Sequence, residues 1–192
     1  MTEDAPRHLF WDSCVLTRYL TGNPPGYEGT LNKLVDDARG GKIKIWHSTI
    51  LYAEVRPSQL KAGGFESMAD LIDDMAGALF PIGPTPSVLM RAARLRDYSY
   101  LHHSPQKTEK SRVLSVPDSI QLCTCLHVKE DRGVSDLVFC TYDDGKGSNY
   151  EEKAVSLLRF HDYATAHQGD VDVAAVINLD RRPPWLEQPG IL

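Results

Sequence analysis

The sequence predicts an α/β fold with a mainly parallel sheet covered by helices on both faces. Three observations predict it. Short apolar runs of strand type alternate with segments whose apolar residues recur at helical spacing, the order that builds parallel sheets. The first run, Leu9-Phe10-Trp11, ends on Asp12 and passes straight into Val15, Leu16, Tyr19 and Leu20, so a strand delivers an acid to the start of a helix. The 192 residues, 42% hydrophobic and 24% charged, suffice for one domain with a real core and are too few for two ordinary ones.

The elements follow in order. Residues 22–26 (Gly-Asn-Pro-Pro-Gly) read as a turn after the first helix. Leu31, Leu34, Val35 and Ala38 mark a second helix, which Gly40-Gly41 stops. Lys42 to Trp46 alternates polar and apolar residues, predicting a second, partly exposed strand. Ser48 or Thr49 is placed to cap the helix STILYAEVR, which carries Glu54 and must end before Pro57. Residues 58–79 hold the Gly63-Gly64 break and then a helix with Met68, Leu71, Ile72 and Met75 on one side. Phe80-Pro81-Ile82 is a short third strand, and Thr85-Pro86-Ser87 opens a long helix reaching Leu101. Residues 102–112 are a polar loop. Pro117 sits at a first-turn position with Asp118 beside it, where a carboxylate favours the helix dipole, and the helix SIQLCTCLHV follows. Asp136 to Thr141 predicts a strand, with Asp143 directly after its end and a loop over 144–148. Glu151 to Tyr163 reads as a helix, Val171 to Leu179 as a last strand, and the Pro-rich tail 181–192 as extended chain.

Composition narrows the function. A net charge of −5 argues against a general nucleic-acid coat protein but not against a nuclease whose acids are masked by cations. The four cysteines, Cys14, Cys123, Cys125 and Cys140, show no disulfide-scaffold pattern. No apolar stretch approaches a membrane span and the N-terminus lacks a signal-peptide hydrophobic region, so a reducing cytoplasm is the expected home.

Asp12 and Asp143 each follow an apolar strand, Asp118 opens a helix, and Glu54 lies on the helix after the second strand. If strand ends and helix starts share one sheet edge, these carboxylates converge, and the crevice beyond the carboxyl ends of the strands is where open α/β sheets bind ligands. Converging carboxylates raise one another's pKa unless a cation sits among them. Hard oxygen donors suit Mg²⁺ or Mn²⁺, which activate water and shield phosphate charge in phosphodiester hydrolysis.

The segments FWDSCVL, ILYAEV, VPDSIQL and LVFCTYDD, in this order, resemble the acidic motifs of the PIN-domain family over roughly the first three quarters of the chain. The resemblance implies a Rossmann-like three-layer α/β/α sandwich: residues 1–150 as a PIN-like nuclease domain, and 151–192 as a C-terminal helix and tail packed on it. It implies a Mg²⁺- or Mn²⁺-dependent endoribonuclease similar to VapC-type toxins, with RNA as substrate, an antitoxin protein as possible partner and a homodimer as a further possibility. Carried over by motif, Asp12, Glu54, Asp118 and Asp143 are the candidate catalytic, metal-binding acids. Thr141 matches a hydroxyl that orients the cluster, with Ser13 in a similar minor part. Asp144 adjoins Asp143, which the Thr-x-Asp spacing favours. The chain carries extra sequence near 58–79, near 101–115 and at the C-terminus relative to compact toxins.

Blander readings stand beside these. Asp12 can serve as a plain N-cap, Asp118 as a dipole partner, and Glu54 as a surface acid. Cys123, Cys125 and His127 are spaced wrongly for one face of a helix, so they read as buried thiols rather than a zinc site. The local excess of Arg91, Arg94, Arg96, Lys107, Lys110 and Arg112 can hold RNA phosphates or merely solvate a surface. The rival function is a PIN-like module that binds RNA or protein without cleavage. A haloacid-dehalogenase-type phosphatase would want a second Asp where Cys14 stands.

Overall fold

The computed structural model describes residues 8–22, 28–101, 111–144 and 155–184. In chain order the elements are β1 (His8–Trp11), α1 (Ser13–Thr21), α2 (Glu28–Arg39), β2 (Lys44–Ser48), α3 (Leu51–Glu54), α4 (Pro57–Ala62), α5 (Met68–Asp74) and β3 (Leu79–Ile82). There follow α6 (Pro86–Asp97), α7 (Val116–Glu130), β4 (Leu137–Cys140), α8 (Phe160–Ala164), α9 (Val171–Ile177) and β5 (Arg181–Arg182). The five strands form one all-parallel sheet in the order β3-β2-β1-β4-β5.

Side-chain alternation along the strands divides the core into two layers. Leu9, Trp11, Ile45, Val138 and Cys140 face one side, where α1, α2 and the buried residues Leu60, Leu71 and Met75 cover them. Phe10, Leu137 and Phe139 face the other, against Leu95 of α6, Leu122 and Leu126 of α7, Phe160 of α8 and Val173 and Val176 of α9. This is a three-layer α/β/α sandwich of Rossmann type. Phe10 and Phe139, neighbours in the β1–β4 register, stack at 5.7 Å between ring centroids. Burying each such ring contributes about 2–3 kcal/mol.

The strand order reverses at β1: β2 and β3 extend from one side of it, β4 and β5 from the other. That switch point leaves a crevice beyond the carboxyl ends of β1 and β4. Asp12 continues the pairing there, its N–H donating to the Cys140 carbonyl at 3.0 Å. Two glycines answer to geometry. Gly22 ends α1 in the left-handed region (φ 63). A Cβ on Gly63 would stand 2.6 Å from Leu20 Cδ2, so α4 can approach α1 only without one.

Several sequence expectations are corrected. Residues 171–179 are not a strand: Asp170 accepts from the N–H groups of Asp172 and Val173, caps α9, and turns Val173 and Val176 onto the core. The last strand is instead the two-residue β5. The helix expected over 151–163 is reduced to α8, because residues 155–159 are non-helical, while 151–154 lie outside the described residues. STILYAEVR is not one helix: Ser48 belongs to β2, α3 is a single turn with Ile50 at its cap, and Pro57 holds Arg56 extended (φ −85, ψ 149) before opening α4. The second strand begins at Lys44 rather than Lys42, and Ile72 is 41% exposed rather than turned inward with Leu71 and Met75. The loop residues 102–110 and 145–148 and the tail beyond 184 lie outside the described residues. No described helix is long and apolar enough to cross a membrane.

Candidate functional site

Asp12 occupies the turn between β1 and α1 and is 4% exposed. Its carboxylate is held from three sides. Oδ1 accepts from the Ser13 N–H at 2.7 Å, and Oδ2 accepts from Thr141 Oγ1 at 2.7 Å and Cys14 Sγ at 3.0 Å. The N-cap reading is therefore correct but incomplete, because a cap needs neither the hydroxyl of Thr141 nor the thiol of Cys14. Burial raises the Asp12 carboxyl above its usual range, its hydrogen bonds pull it down, and the charge of Asp143 raises it further. Cys14 stays a thiol, since burial and the neighbouring Asp12 push it well above the usual thiol value. It acts as a donor to Asp12 and accepts from the Tyr142 N–H at 3.2 Å.

Glu54 ends the single-turn helix α3. Oε2 accepts from Ser13 Oγ and from Gln121 Nε2, the latter at 2.9 Å, and Oε1 takes no part in those bonds. Burial raises its carboxyl, its hydrogen bonds lower it, and the charge of Asp12 raises it again. Asp118 lies in the first turn of α7, whose N-cap Ser115 accepts from the Asp118 N–H at 3.1 Å. Its carboxyl is pushed up to about 7, first by burial, then by the charge of Asp12, with Asp143 and Glu54 adding to the rise. Each of the four acids thus lies within the electrostatic reach of others, although they come from four separate parts of the chain.

Asp143 follows β4 and has a second duty. Its N–H donates to Thr141 Oγ1 at 3.0 Å, its Oδ2 accepts from the Leu157 N–H at 3.0 Å, and its carbonyl accepts from Ser156 Oγ at 3.0 Å. Thr141 thereby links Asp12 to Asp143, and the chain after the fourth acid is anchored on Asp143. Asp144 follows, partly buried. Ser13 joins the site through three bonds rather than a minor one: its N–H reaches Gln121 Oε1 at 3.1 Å, and its hydroxyl lies between Glu54 and Gln121.

Of the expected basic residues, Arg91 and Arg94 are engaged with carboxylates of α7 and α9. Arg91 binds Asp172 Oδ1 at 2.6 Å and Glu130 Oε2 at 2.7 Å, and Arg94 binds Asp172 Oδ2. Glu130 ends α7 twelve residues beyond Asp118, about 18 Å along the helix axis. Arg96 is exposed on α6, and Arg112 lies over the Tyr163 ring at 5.0 Å. Lys107 and Lys110 lie outside the described residues. A cation the sequence did not single out, Arg18 of α1, lies 4.0 Å above the ring of Tyr142, the residue between Thr141 and Asp143 in the chain. Sequence reasoning also missed Gln121 and Cys14. Gln121 carried one local signal, standing one helical turn from Asp118 on an otherwise apolar stretch.

The donor set fits a hard divalent cation in its chemistry: four carboxylates, with burial, hydrogen bonds and other carboxylates, rather than any cationic side chain, as the main influences on Asp12, Glu54 and Asp118. In position it is open, because among the described residues no three His, Cys, Asp or Glu side chains form a ready ligand group. The comparisons with known proteins leave the assignment to this geometry: no family model, curated protein or solved structure matches the chain.

Proposed function

We propose that this chain is a divalent-metal-dependent ribonuclease of PIN type. One observation carries the reading. At the switch point of a parallel sheet Asp118 is pushed up to about 7, first by burial and then by the charges of Asp12, Asp143 and Glu54, acids from separate parts of the chain. A folded protein tolerates such crowding where a function or a cation offsets it.

Asp12, Glu54, Asp118 and Asp143 would hold Mg²⁺ or Mn²⁺. When bound, the ion would supply Lewis-acid activation of water and neutralisation of phosphate charge. The chain's own groups prepare for this. Thr141, Cys14 and the Ser13 N–H fix the Asp12 carboxylate. Ser13 and Gln121 fix that of Glu54. Thr141 and the 156–158 segment fix Asp143. Arg18, over the ring of Tyr142 in the segment that carries Asp143, would supply positive charge to a phosphate backbone. The motif resemblance contributes RNA as the substrate and the toxin of a toxin–antitoxin pair as the setting.

A second reading, a module that binds RNA or protein without cleaving, draws on a specific observation. Protein donors already occupy three of the roughly four acceptor positions of the Asp12 carboxylate. One experiment separates the two: cleavage of a panel of structured RNAs with Mg²⁺ or Mn²⁺, beside an Asp12→Asn variant and an EDTA control. Cleavage lost in both controls supports the nuclease. A folded wild-type chain that cleaves with neither metal moves the assignment to the binding module.

A further inference from the structure

Gln121 is fully buried and bridges three elements. Its Oε1 accepts from the Ser13 N–H at 3.1 Å, while Nε2 donates to Ser13 Oγ at 2.6 Å and to Glu54 Oε2 at 2.9 Å. Ser13 Oγ donates to the same Glu54 oxygen, closing a three-membered network across the starts of α1 and α7 and the end of α3. α3 is one turn long with no side-chain cap, and the chain turns extended at Val55. Local helical structure therefore does little to orient Glu54, and the orientation comes from α7.

The residue type matters as much as its place. A lysine here would neutralise Glu54, and a carboxylate would repel it. A primary amide is neutral, offers donors and an acceptor together, and can orient an acid without cancelling its charge. Outer hydrogen-bond partners of this kind typically set metal affinity by 10- to 100-fold.

We propose that Gln121 is the positioning residue of the acidic centre. By engaging Ser13 and Glu54 Oε2 it leaves Glu54 to offer a single oxygen, Oε1, to a divalent cation. The proposal rests on the metal-nuclease reading. It adds that α7 carries two members of the centre one turn apart: Asp118, which binds, and Gln121, which aims Glu54.

The test uses the full chain, a Gln121→Met variant of similar volume, and the exchange Gln121→Glu with Glu54→Gln. The exchange rebuilds an amide–carboxylate bond with the charge on the other partner. Three quantities are read: Mn²⁺ affinity by titration calorimetry, kcat and the half-saturating Mn²⁺ concentration for RNA cleavage, and metal-free Tm. The expected result for Gln121→Met is a 10- to 100-fold loss of Mn²⁺ affinity with a matching rise in half-saturation, while kcat at saturating metal changes only a few-fold. The exchange should recover the metal-free Tm without recovering Mn²⁺ affinity, and in a Glu54→Gln background Gln121→Met should cost no further Mn²⁺ affinity, whereas a purely structural glutamine would cost it again. A folded Gln121→Met chain that binds Mn²⁺ as tightly as wild type overturns the proposal. If that variant does not fold, a folded exchange chain with wild-type affinity overturns it equally. Wild-type chain that takes up Mn²⁺ but cleaves no RNA sinks the nuclease reading alone, and the positioning role is then judged on the calorimetric shift. Wild-type chain that takes up no Mn²⁺ overturns both.

Discussion

The two ends of α7 hold opposite kinds of charge cluster. At its start, the buried Asp118 feels the charges of Asp12, Asp143 and Glu54, which add to the rise that burial gives its carboxyl. At its other end, Glu130 and Asp172 are matched by Arg91 and Arg94 in a network tying α6, α7 and α9 together. The matched cluster satisfies its own charges and needs nothing further; such networks are structure. In the acidic cluster, Asp12 and Glu54 are held by neutral donors, Ser13, Cys14, Thr141 and Gln121, that orient carboxylates without cancelling their charge. A fold that orients acids in this way keeps their charge for a ligand.

Neutralising one acid in each cluster should therefore have opposite consequences. Asp12→Asn keeps the shape but removes charge from the acidic end. RNA cleavage should fall about a thousandfold, ~4 kcal/mol of barrier, at the upper end of what losing one preorganised charge-stabilising group costs. The metal-free protein should lose no stability in urea titration, because a crowded buried charge is removed. Asp172→Ala leaves Arg91 with Glu130 as its remaining carboxylate partner, and unfolding in urea should show a loss of about 2 kcal/mol for the broken charged hydrogen bonds. Its remaining folded fraction should cleave as wild type. A destabilised Asp12→Asn chain, or an Asp172→Ala chain as stable as wild type, would erase the distinction.

The distinction was only half legible in the sequence. Asp12, Asp118 and Asp143 announce themselves locally, because each ends a strand or opens a helix and the alternation of strands and helices puts those points at one edge. Glu54 had a weaker signal, its place on the helix after the second strand, and that helix shrank to one turn once Pro57 held Arg56 extended. Gln121, one helical turn from Asp118, gave no sign of its role because its partners lie 108 and 67 residues away. The matched cluster was not legible: the run holding Arg91 and Arg94 read equally as an RNA contact or a solvated surface, because their partner, Asp172, sits in a segment whose Val-Asp-Val alternation suggested a strand. The Asp170 cap and the i, i+3 pair Val173 and Val176 decide for a helix instead, since both valines reach the core that way.

Acidity sharpens the same contrast. The Asp118 carboxyl rises from 3.8 in the unfolded chain to about 7 in the fold, chiefly through burial. Between those values the folded protein binds a proton that the unfolded chain has released. The stabilisation is complete below about 3.8 and disappears as pH rises through about 7. Metal-free protein should thus gain stability from pH 8 to pH 5 relative to an Asp118→Asn variant. Discounted for partial exposure, the swing is about 1 kcal/mol, roughly 3 °C in Tm for a chain of this size. Saturating Mg²⁺ should flatten it, since a cation among the acids replaces the proton. Identical pH profiles for the two chains would mean that Asp118 is not crowded at all.

The smallest effect decides between two roles for one residue. Arg94 binds Asp172, yet its own side chain is 65% exposed, so it can be a rim of the matched cluster or a hand held out to phosphate. As a rim, it shares Asp172 with the better-buried Arg91, and an exposed partner in such a pair contributes under about 1 kcal/mol. Arg94→Ala should then lower the urea midpoint slightly and leave the salt dependence of RNA binding unchanged. As a phosphate contact, its loss would reduce the slope of log affinity against log salt by about 1 whatever the RNA sequence. The structure favours the first outcome, because Arg94 shares Asp172 with Arg91, and Arg91 reaches the end of α7 remote from the acids. The same substitution at Arg18, which lies over Tyr142 beside Asp143, should produce the change of slope that Arg94 does not.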